Sequence, residues 1–121
     1  MTFCTFQTSS LIAVGSIVKK DDASVLPNDN QTGSILVGVV TRSYSNEDNT
    51  QHFAEVHLGG GVAFAKLSSA WDGTFSPLIV NNDGVEASTS ANQYHGYLMP
   101  DLPPVAKQAG DLVPIYWRGA I

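Results

Sequence analysis

The chain has 121 residues, six basic against eleven acidic side chains and a net charge of −5, which sets it at one domain with a modest core. The basic residues Lys19, Lys20, Arg42, Lys66, Lys107 and Arg118 are scattered, so no basic stripe offers a footprint for nucleic acid. One cysteine, Cys4, excludes an intramolecular disulfide and a thiolate zinc site, and no apolar run approaches the roughly 20 residues that span a bilayer as a helix.

In chain order, residues 1–10 come first and differ in kind from the rest of the chain. They carry Phe3 and Phe6 in a weakly alternating polar context, without the basic start and apolar run of a secretory signal, so synthesis in the cytoplasm is expected. The segment reads as an extended N-terminal arm, either an added edge strand or a docking element dispensable for the fold. From residue 11 to 121 a single β-domain is expected. Helical periodicity is absent, while short segments rich in Val, Ile, Phe, Tyr and Trp alternate with Gly, Pro and Asn-Asp clusters. These segments predict strands over Ile12 to Val18, Ser34 to Thr41, His52 to Leu58, Gly61 to Leu67, Leu78 to Val80, Gly96 to Met99 and Leu112 to Arg118. Such a set of short strands implies an all-β fold, a small β-barrel or β-sandwich.

The order of events repeats. An apolar run, a polar turn, a lone Val (Val25, Val85), a polar tract, a Gly within an apolar strand (Gly38, Gly96) and a closing strand ending in Gly (AEVHLGGGV, VPIYWRGAI) occur at about 14–62 and again at about 75–121. Two degenerate copies of one β-unit are the expectation. Alternation in the closing strands turns Ala54, Val56 and Leu58, and Val113, Ile115 and Trp117, inward; Phe53, Glu55, His57, Pro114, Tyr116 and Arg118 turn outward. Pro114 predicts an edge or a bulge, since proline donates no ladder hydrogen bond.

Chemistry is sparse. His57 and Glu55 share a strand face, but His52 has the opposite parity and a zinc site needs three or four ligands. Asn81-Asn82-Asp83-Gly84 and Asp72-Gly73 lack the spaced carboxylates of a calcium loop and read as turns. No serine sits in a nucleophile elbow, and no glycine loop leads into a phosphate-binding helix start. Tyr116-Trp117-Arg118-Gly119 is similar to the Tyr-Arg-Gly motif of trimeric dUTPases, without the Asp and the Ser-rich motif that those enzymes also need. No catalytic residue, cofactor or metal is therefore expected.

GSIVKKDD (Gly15 to Asp22), ILVGVV (Ile35 to Val40), AEVHLGGGVAF (Ala54 to Phe64) and, more loosely, GDLVPIYWRGAI (Gly110 to Ile121) together resemble the repeated short β-units of the capsid decoration, or cement, proteins of tailed bacteriophages. The resemblance implies a virion protein on the capsid exterior, a homotrimer at or near threefold positions that contacts the major capsid protein and bridges capsomers, with neither nucleic acid nor membrane as partner. Phe3, Phe6, Pro114 and Tyr116 are the candidate interface residues, because an exposed sheet edge and unpaired aromatics are economical contacts for a shell. Two other readings fit the composition: a tail, baseplate or head-fibre subunit, and a carbohydrate-binding β-module stacking sugars on Trp71, Tyr94, Tyr97 and Trp117.

Overall fold

The computed structural model describes residues 2–89 and 95–120. Ten strands are present: β1 (Thr2–Thr8), β2 (Ile17–Asp21), β3 (Ser24–Pro27), β4 (Leu36–Ser45), β5 (His52–Gly59), β6 (Gly61–Lys66), β7 (Ser76–Asn81), β8 (Gly84–Ala87), β9 (Gly96–Leu98) and β10 (Leu112–Trp117). They form two five-stranded antiparallel sheets packed together as a small β-sandwich. The strand orders are β1-β5-β4-β2-β3 and β6-β10-β9-β7-β8. Adding five to each strand number of the first order yields the second, so the molecule is a tandem duplication with one sheet per repeat.

Residue register supports the same pairing of repeats. Gly38 pairs with Val18 and Gly96 with Leu78; Val40 pairs with Val56 and Leu98 with Ile115. The hairpin turns also match, because Asp22 (φ 50°) and Asn82 (φ 51°) adopt the same left-handed conformation directly after Asp21 and Asn81, one that Asp and Asn tolerate through local hydrogen bonding. Gly38 and Gly96 share a cause as well. A Cβ at Gly38 would run into the His57 carbonyl, and one at Gly96 into the Tyr116 carbonyl. Those two carbonyls stand at corresponding places in β5 and β10, so both repeats need glycine where the backbones cross closely.

The expected boundaries shift. Residues 2–8, expected to form an arm, pair along β5 from Thr2↔Gly59 to Thr8↔His52 and occupy the place that β6 takes beside β10. The repeats therefore run β1–β5 and β6–β10 and begin earlier than 14 and 75. Val25 and Val85, each read as a lone Val, are the buried centres of the short strands β3 and β8. Ile12 lies ahead of β2 and still reaches the core. Pro114 is on a central strand rather than an edge: β10 runs between β6 and β9. Ladder pairing with β9 covers only Ile115 to Trp117; just beyond it Met99 N donates to Pro114 O (3.1 Å), so the proline sits at the last rung and forgoes only the reciprocal bond there.

Two apolar clusters hold the sandwich together. The larger gathers Ala63, Ala65, Leu67, Trp71, Leu78, Val85, Leu98, Val113, Ile115 and Trp117 from the second repeat with Ile17 and Val39 from the first. The smaller gathers Ile12, Val18, Val25, Val40, Ala54 and Val56, with Phe6, Val37 and Leu58 packed against them. Neighbours on one strand, Ile17 and Val18 or Val39 and Val40, thus serve opposite faces, and the first sheet is buried on both. That double burial accounts for the adjacent Ile17 and Val18 in β2 and the continuous apolar run that opens β4.

Both sheets curl without closing: Ser24 Oγ donates to the Gln7 carbonyl across the ends of the first, and Ser68 N donates to Val85 O (2.8 Å) across those of the second. Between repeats the loop after β3 grips the β7–β8 turn. Asn28 Nδ2 donates to Asn82 O (2.7 Å), Asn30 Nδ2 to Asn81 Oδ1 (2.7 Å), and Asn82 N to Asn30 Oδ1 (2.7 Å). The buried amide of Asn28 and the exposed one of Asn30 together tie the two repeats at this point.

Candidate docking surfaces

The four candidate interface residues do not form one surface. Phe3 and Phe6 point to opposite faces of β1. Phe6 packs on the smaller core, whereas Phe3 is 46% exposed and meets the His57 ring edge-on at 5.0 Å. Pro114 and Tyr116 do share a face, the outer side of the second sheet. Cross-strand pairing adds neighbours that alternation within one strand does not reveal: Val62 and Tyr97 flank Tyr116, Pro77 lies beyond Tyr97, and Phe64 is opposite Pro114. Phe75 stacks on Tyr97 with centroids 5.3 Å apart. Phe64 is 55% and Tyr116 38% exposed, and Val62 and Phe75 also face solvent. These neighbours make a continuous apolar face with no charged side chain among the seven.

His57, expected on an outward and half-exposed face, is 0% exposed. Its Nδ1 accepts from Gly59 N at 3.1 Å, so the neutral ring carries its proton on Nε2, which has no hydrogen-bond partner among the described residues. Burial holds the His57 pKa below its ordinary 6.5. The folded protein therefore keeps the ring neutral while the unfolded chain takes up a proton, and this contribution to stability is complete above pH 6.5 and lost as pH falls below it. Asp29, Asp48 and Asp72, whose pKa values are lowered from 3.8 chiefly by hydrogen bonds from Lys19, Thr50 and Thr74 respectively, lose theirs only in more acid solution. The melting temperature should drop between about pH 7 and pH 5, and His57→Phe should flatten that slope; an unchanged slope in the variant would assign the effect elsewhere.

The histidines do not converge. His52 Nδ1 meets Ser45 Oγ at 2.7 Å, and His95 Nδ1 meets the Gly119 carbonyl at 2.9 Å. Among the described residues no group of three or more His, Cys, Asp or Glu is placed to hold a metal. Asp83 in the β7–β8 turn pairs with Lys66 at 2.7 Å. Of the aromatics expected to stack on sugars, Trp71 and Trp117 are buried in the larger core, Tyr97 is covered on one side by Phe75, and Tyr94 lies outside the described residues. A polar hollow of about 380 Å³ opens beside Asn28, Asn30, Gln31 and Ser34. Its two asparagines are already engaged with the β7–β8 turn.

No family model, curated protein or solved structure matches the chain.

Proposed function

We propose that this chain is a structural virion protein, a decoration or cement protein that binds the outside of a tailed-phage head and stabilises it by bridging capsomers. In this reading it acts as a homotrimer, its partner is the major capsid protein, it is made in the host cytoplasm, and it uses no catalytic residue or cofactor. The observation that carries the reading is the uncharged patch of seven apolar and aromatic residues on the outer side of the second sheet, spread over four strands of a duplicated sandwich. An exposed apolar sheet face suits a protein surface, which buries area broadly, better than a small ligand, which needs a concave site. Repeating a small contact over several subunits multiplies its effect through high local concentration.

The test is attachment and its consequence. The protein should sediment with intact particles at high copy number. Particles lacking it should assemble and then rupture sooner on heating, because a cement adds contacts to a shell that already exists. Particles that keep their thermal stability but fail to adsorb to host cells would replace this reading with a tail, baseplate or head-fibre role.

A further inference from the structure

Across the side of the first sheet that packs on the second repeat runs the row Phe3, His57, Val39, Ile17, each paired with the next. The second sheet carries the corresponding row Val62, Tyr116, Tyr97, Pro77 at the same register positions. In the first row His57, Val39 and Ile17 are fully buried, the last two within the core of the second sheet. In its counterpart Val62 and Tyr116 face solvent, while Tyr97 and Pro77 are half-buried. One molecule thus contains two versions of one sheet face, one covered by a second unit of the same fold and one left open.

We propose that the open face is where copies of this chain join, sheet against sheet. Charge supports a second copy as the occupant. In a two-fold contact both copies use the same patch and residues near the axis meet their own counterparts, so a charged group at the centre of the patch would face its like. A chain of net charge −5 associates with itself most readily through a patch free of charge, and Val62, Phe64, Pro114, Tyr116, Tyr97, Pro77 and Phe75 make one, with Lys66, Glu86 and Arg118 only at its rim. The inner side of the first sheet offers no alternative seat, since Val18, Val25, Val40, Ala54 and Val56 are already closed off within one chain. Like faces therefore meet like faces, in a closed assembly rather than an open filament. This contact rests on the structural repeat and not on the capsid reading: a pair of copies joined here would meet a capsid through other surfaces.

Sedimentation equilibrium of the purified full chain tests it. The wild type should form a closed dimer. Phe64→Glu and Tyr116→Glu should each weaken assembly by about 30-fold or more, the loss expected for a central aromatic contact, with the far-UV circular dichroism unchanged. Ile35→Glu, exposed but off this face, should assemble like the wild type. If either glutamate variant misfolds, Val62→Ser at the same face provides the comparison. A wild type that stays monomeric at the highest concentration reached, or variants that assemble as tightly as it does, would overturn the proposal. A monomer whose Phe64→Glu variant loses particle binding would assign the face to the capsid instead and overturn it equally. An assembled wild type that does not sediment with particles sinks the capsid reading alone.

Discussion

Deleting residues 2–8 should abolish the cooperative thermal transition of the chain instead of merely freeing an arm. β1 is the outer partner of β5 from end to end, and its loss would leave the ladder groups of a central strand unpaired. Phe6 would no longer cover Ala54 and Val56 in the smaller core, and Phe3 would be lost from the His57 ring. Phe6 is half-buried, so its loss costs part of what a fully buried Phe would, about 3–5 kcal/mol; removing the strand adds its hydrogen bonds to that, against a total stability of about 5–15 kcal/mol for an ordinary domain. The damage spreads to the second repeat, because Ile17 and Val39 of the first sheet complete the larger core. Far-UV circular dichroism on heating reads the outcome. A truncated chain that melts cooperatively at the wild-type temperature would show that residues 2–8 are dispensable after all.

That strand is hard to recognise in the sequence for a physical reason. Thr2, Thr5 and Gln7 leave β1 half in water and blur its alternation. Its structural equivalent, Gly61–Lys66, reads plainly as a strand because Ala63 and Ala65 face a large core. The closing strands are legible, since one side of β10 is in solvent and the period of two survives in Val113, Ile115 and Trp117. The burial of His57 is not, because it depends on how the second repeat packs on the first sheet, and nothing local to β5 encodes that. Pro114 misleads for a similar reason: the shortness of β9 is written in residues 96–98 and not near the proline. Parity alone places Pro114 and Tyr116 on one face, but the extent of the surface around them depends on cross-strand register. The paired glycines carry more information than their number suggests. Gly38 and Gly96 sit at the same backbone crossing in both repeats, so a duplication blurred nearly everywhere else stays visible there.

Trp117→Ala should destabilise the fold by about 3–5 kcal/mol, while Tyr116→Ala, one residue away, should cost the monomer about 1 kcal/mol. Trp117 is fully buried among Val113, Ile115, Leu98 and the residues around them, with the His95 ring tilted over it at 5.6 Å. Its indole N–H has no hydrogen-bond partner among the described residues, so truncation frees no acceptor and the loss is one of packing and the cavity left behind. Leu58 holds the corresponding place in the first repeat, half-buried beside a smaller core, and Leu58→Ala should cost less than Trp117→Ala for that reason. Tyr116 points to the open face, so its truncation should act on assembly more than on folding. Denaturant unfolding at a dilution where the chain is monomeric separates the two effects. Equal losses for Trp117→Ala and Tyr116→Ala under those conditions would mean that both sides of β10 are buried within a single chain, and the second sheet would then have no open face through which copies could join.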